Sequence, residues 1–172
     1  YPQIAYAARL WNGAATRENA AEIFAEILGD KEIAELICSL NIVECGYRKS
    51  VTSVCENDYM LKLSYRAQLC YVLPRIATAA KKARGSAKDI LTDIYDCIAE
   101  IYVNLLLQKL SVDVFDGYIS SPKTNEYLKA LDCAEKIFGE IESNARGLWK
   151  KYRGATVSYL NAFDNKFASY RR

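Results

Sequence analysis

Residues 69–98 read LCYVLPRIATAAKKARGSAKDILTDIYDCI, and the fold turns on this stretch. Leu69, Val72 and Ile76 recur three and four residues apart, continuing a face begun by Leu61 and Tyr65. That spacing marks one side of an α-helix. Gly85 suits the left-handed residue that closes a helix, and Ser86 with Asp89 three positions on forms a capping-box-like start for the next. The stretch is therefore a tight helical hairpin. Pro74 falls inside its first arm, where the missing N–H and the ring's clash with the preceding turn predict a kink near Leu69 to Leu73.

Helix punctuation continues in both directions. Upstream, a short helix over Gln3 to Trp11 stops at Asn12-Gly13. A second starts at Thr16 with Ala20, Ile23, Phe24, Ile27 and Leu28 on one face. Gly29 breaks it, and Asp30 is positioned to cap a continuation carrying Ile33, Leu36, Ile37 and Leu40. The stretch from Ile42 to Glu56 loses this periodicity and reads as an ordered loop. Downstream of the hairpin, apolar residues occupy nearly every face between Ile94 and Phe115, the mark of the most buried helix. Gly117 ends it and Ser121-Pro122 opens the last one. There Tyr127, Leu131, Ala134, Phe138, Ile141, Ala145, Leu148, Tyr152, Ala155, Tyr159 and Ala162 alternate four and three apart, a coiled-coil-like seam.

Segments 16–41, 57–84, 86–115 and 121–152 each measure about 40 to 48 Å at ~1.5 Å per helical residue. Rods of matched length joined by short turns predict an all-α, single-domain, antiparallel four-helix bundle over residues 1–172. A short N-terminal helix precedes it. The last helix is long, and residues 153–172 are expected to leave the bundle as an exposed helical tail.

Six cysteines, at positions 38, 45, 55, 70, 97 and 133, form no Cys-x-x-Cys pair, so zinc ribbons and thioredoxin-type motifs are excluded by spacing. An even number without metal spacing points to a disulfide framework, and a chain beginning at Tyr1 fits a secreted protein whose signal peptide has been removed. Cys70 and Cys97 stand at nearly equal heights on either side of the Gly85 turn and form the expected bridge. Cys45 with Cys55 and Cys38 with Cys133 complete one of the fifteen possible pairings.

Histidine is absent, which removes the commonest general base, Ser-His and Cys-His dyads and His-ligated zinc. With 23 basic and 21 acidic side chains the net charge is +2, too balanced for a dedicated nucleic-acid binder. The most hydrophobic run, Ile90 to Phe115, is interrupted by Asp93, Asp96, Glu100 and Lys109 and is no membrane span. No asparagine begins a glycosylation sequon. Asp93, Asp96 and Glu100 share one side of a helix and read as a solvated acidic face, since no histidine completes a di-iron pattern.

Two basic clusters remain. Lys81, Lys82, Arg84 and Lys88 surround the hairpin turn, where three of them complement a helix C-terminus. Lys150, Lys151 and Arg153 are interleaved with Trp149, Tyr152, Tyr159 and Phe163, a pattern able to grip an anionic partner. These seven residues are the candidate partner-binding site. Function is therefore expected to be non-catalytic binding of another protein through helical surfaces, with no cofactor and no metal. Two alternatives stand beside it: a carrier holding a small apolar or amphipathic ligand between helices, and a structural protein self-associating through the C-terminal seam.

Overall fold

A computed structural model describes residues 2–16, 18–40, 56–115 and 121–153, with residues 161, 164, 165, 167 and 168 beyond them. Among these the chain is all-helical and has no strand. The helices are α1 (Pro2–Trp11), α2 (Ala20–Leu28), α3 (Lys31–Ser39), α4 (Glu56–Lys82), α5 (Gly85–Phe115) and α6 (Ser121–Arg153).

Local chemistry sets the boundaries. The Asp30 carboxylate accepts the Ile33 N–H at 3.0 Å, capping α3 as the sequence predicts. Gly29 and Gly85 have φ of 70° and 59°, a left-handed conformation that a side chain disfavours, and each sits at the corner between two helices. α2 begins four residues later than the pattern suggests. The reason is Asn19, whose side chain accepts the Thr16 N–H at 2.7 Å and donates to the Ala14 carbonyl at 3.3 Å, holding this segment in a turn. Pro74 lies within α4, which continues through it to Lys82. On the exposed side of this stretch the Arg75 guanidinium lies 3.4 Å from the centre of the Tyr71 ring and donates to the Tyr71 carbonyl.

α5 is the shared partner of the fold: α4 and α6 both pack along it, α2 reaches it, and α3 leans on α4. Leu69, Val72, Leu73 and Ile76 of α4 meet Leu91, Ile94, Ile98 and Ala99 of α5, and Phe24, Leu28, Ile33 and Ile37 join the same core. Each such Leu or Ile, fully buried, stabilises the fold by roughly 1.5–3 kcal/mol. A smaller cluster of Val103, Leu106 and Ala134 extends the α5–α6 contact. Equal rod length does not extend to the first segment, which is two nine-residue helices, α2 and α3, packed about Gly29.

The expected disulfides are not formed within the described residues. Cys38, Cys70, Cys97 and Cys133 are exposed free thiols, and Cys45 and Cys55 lie outside the described residues. Matched height along two rods leaves the direction around each rod open. Cys70 falls on the outward side of α4 beside Tyr71, and Cys97 on an exposed strip of α5, whereas a bridge needs Cβ atoms that face one another. Alkylation of the folded protein without reductant should label all four cysteines. Cys97 should react slowly, because burial and then Asp93, Glu100 and Asp96 push its thiol above the ordinary range. Recovery of a Cys70–Cys97 linked peptide would overturn this arrangement.

The C-terminal segment is not wholly exposed. Phe167 is buried against Phe138 of α6, ring centres 5.3 Å apart, and Asp164 accepts from Arg146. Asn161, Asp164, Asn165 and Ala168 face solvent. Replacing Phe167 with Ala should lower stability by about 2–4 kcal/mol in a denaturant melt, as loss of a buried aromatic does. An unchanged midpoint would show that this segment does not pack on α6.

Candidate functional site

Three contacts set α6 antiparallel on α5. Near one end, Asp89, just past the first turn of α5, receives Lys151 at 2.5 Å and the Tyr152 hydroxyl. Farther along, Tyr95 donates to Glu140 at 2.8 Å and Asn144 donates to Asp96 at 2.9 Å. The hydrogen bonds from Lys151 and then Tyr152 hold the Asp89 carboxyl below the usual carboxylate range and raise Lys151 and Tyr152 in return. These groups lie at the surface, so the pair locates α6 more than it stabilises the fold.

This register joins two clusters that lie far apart in the chain. Lys150, Lys151 and Tyr152 arrive beside the α4–α5 turn, which carries Lys81, Lys82, Arg84 and Lys88. All but Lys151 are without an ion pair among the described residues. Of the sequence-predicted site, Trp149 is half-buried, Lys150 is exposed and Tyr152 is 59% exposed. Lys151 is exposed and paired to Asp89. The Arg153 side chain, Tyr159 and Phe163 lie outside the described residues. The sequence reading missed Asp89, seen there only as a helix cap; two charges 62 residues apart leave no local pattern.

A cleft of about 380 Å³ opens beside this basic end, between α4, α5 and α6. Lys81 and Lys88 line it from the helix ends at the α4–α5 turn, Tyr95 and the Glu140 it contacts lie two turns farther along α5, and Thr92, Ser143 and Asn144 add polar groups to the lining. Thr92 donates to the Lys88 carbonyl within its own helix, so its hydroxyl proton is engaged.

Next to the cleft lies Asp96, which the sequence places on a solvated acidic face and the structure buries. It is 7% exposed, and its second carboxylate oxygen has no hydrogen-bond partner among the described residues. Burial, reinforced by Asp93 and Glu140 and opposed by the Asn144 hydrogen bond, raises its pKa to about 7. Asp93 is raised by burial as well. Tyr95 is raised beyond the range of ordinary pH by burial and by the Glu140 carboxylate, which accepts its hydrogen bond and repels the phenolate. Among the described residues no three Cys, Asp or Glu side chains converge to hold a metal ion.

Asp96 gives the α5–α6 seam a definite pH response. The folded chain binds the Asp96 proton more tightly than the unfolded chain, in which the group titrates near its ordinary 3.8. Its contribution is complete below about pH 4 and is lost as pH rises through about 7. Thermal stability should therefore fall between pH 5 and 8. Asp96→Asn should flatten that slope and stabilise the protein by roughly 2 kcal/mol at pH 8, because it removes a buried charge and keeps an amide for Asn144. A variant that melts lower than the wild type at pH 8 would contradict the burial of this carboxylate.

Elsewhere, α1 carries the most exposed large apolar side chain, Trp11, at 92%, with Ile4 seven residues before it on the same helical face. No helix among the described residues is long and apolar enough to cross a membrane. No known protein family, curated protein or solved structure matches the chain.

Proposed function

We propose that the chain is a non-catalytic binding protein that engages another protein through the basic end of its helical body. The observation that carries this reading is the Lys151 and Tyr152 contact with Asp89, which joins the α6 cluster to the cluster at the α4–α5 turn. In a chain of net charge +2, the result is a concentrated cationic surface with an exposed tyrosine at its edge. Such a surface steers an acidic partner and gives a planar amphipathic side chain for contact. The exposed Ile4 and Trp11 face of α1 adds apolar surface of the kind that protein partners cover.

In this reading α2 and α3 together stand in for the fourth rod of an antiparallel bundle, supported by the packing of α2 on α5 and α3 on α4. An extracellular setting is a separate proposal, supported by the even number of cysteines. It predicts the opposite outcome of the alkylation experiment for protein from its native source, fewer than four labelled cysteines, with the blocked thiols paired between molecules or with small thiols. The carrier alternative gains no support from the cleft beside Lys81, which is open and polar where an apolar ligand wants enclosure. Self-association is favoured by Leu128 and Leu131, both exposed on α6.

Quantitative affinity capture from native source material separates these readings. A partner held by the wild type should be reduced at least tenfold with the Lys82→Glu, Lys150→Glu variant and should elute as salt is raised. Equal capture by both chains overturns the basic-end reading. Recovery of a second copy of the chain in place of another protein supports self-association.

A further inference from the structure

Lys81 lies in the last turn of α4 and Lys88 in the first turn of α5, and both line the same cleft beside the turn that joins their helices. Neither has an ion-pair partner among the described residues. Close by, the Ser143 hydroxyl has no hydrogen-bond partner among the described residues, and the Asn144 side chain, which spends one N–H on Asp96, has a second N–H to give. Farther from that turn stands Glu140, one oxygen of which is taken by Tyr95. The cleft thus has a cationic pole with uncommitted donors and an anionic pole with one free oxygen. It is open to solvent, whereas a small ligand is normally held with most of its surface covered. An occupant that brings its own backbone and rests on the surrounding surface suits such a shape better.

We propose that this cleft anchors a partner segment bearing an acidic side chain directly beside a basic one, the carboxylate lying between Lys81 and Lys88 and the cation toward Glu140. The assignment rests on the reading of the basic end as a protein-binding surface and names the chemistry that surface selects. Two ammonium groups converging on one carboxylate give charge-assisted hydrogen bonds, stronger than those of dispersed surface charges. Glu140 excludes a second carboxylate from the neighbouring position, so the site discriminates against uniformly acidic segments.

The test is an NMR titration of the full-length chain with two 12-residue peptides, (Gly-Glu-Lys-Gly)3 and (Gly-Glu-Glu-Gly)3. The first should shift the Ser143 amide and the Asn144 side-chain amide saturably and bind at least threefold tighter than the second. Lys81→Ala and Lys88→Ala should each weaken it about tenfold, whereas Lys31→Ala and Lys129→Ala, which remove the same charge from exposed positions away from the basic end, should change it less than threefold. If all four substitutions cost the same, the anchor is wrong and only a diffuse basic surface remains. If (Gly-Glu-Glu-Gly)3 binds equally or better, the two-pole assignment is wrong. If neither peptide shifts these resonances, the cleft proposal fails, and the capture comparison above still decides the broader reading independently.

Discussion

Asp96 sits in a helix–helix seam that water scarcely reaches, and its amide partner, Asn144, comes from 48 residues away. A buried carboxylate with one oxygen satisfied is costly wherever it is placed. Sliding α6 along α5 by a turn would remove even the Asn144 bond and leave the charge without any partner, a loss of several kcal/mol. The seam therefore tolerates one register. With that register fixed, Tyr95 meets Glu140, and Lys151 and Tyr152 meet Asp89. The basic end and the cleft are consequences of the same alignment, since both are assembled from α4–α5 turn residues and residues of α6.

The central helix explains why this alignment reaches the rest of the fold. α5 is apolar on one side toward α4 and on another toward α6, so Leu91, Ile94, Ile98 and Val103 are buried from different directions. α6 has its described helix contacts with α5, which leaves part of its seam outside: Ala134 and Ile141 are buried, whereas Leu131 and Tyr152 are exposed. Phe167 covers the middle of that seam by packing on Phe138. The contacts of Asp89, Tyr95 and Asp96 therefore supply specificity along the part of the α5–α6 pair where the apolar contact is narrow.

Periodicity and punctuation made most helices readable in the sequence. Gly29, Asp30, Gly85 and the three- and four-residue spacing of Leu69, Val72 and Ile76 locate the elements because each is a local property of the backbone or of one face. Direction around a helix axis was not readable in the same way. Cys70 and Cys97 stand at similar heights yet face solvent, and Asp96 belongs to an acidic strip in sequence yet turns toward Asn144. Both depend on which neighbour occupies each side of α5, a tertiary fact with no local signature. The basic clusters were visible separately. Their union was not, because Asp89 reads equally well as a helix cap and as the anchor of Lys151.

The alignment of α6 on α5 is tested most directly by a nuclear Overhauser spectrum of the full chain. Cross-peaks are expected from the Asn144 side-chain amide protons to the β-protons of Asp96, and from the Tyr152 ring to the β-protons of Asp89. A spectrum in which Asn144 and Tyr152 connect to other residues and to none of α5 would contradict the register, and with it the single basic end and the cleft beside it.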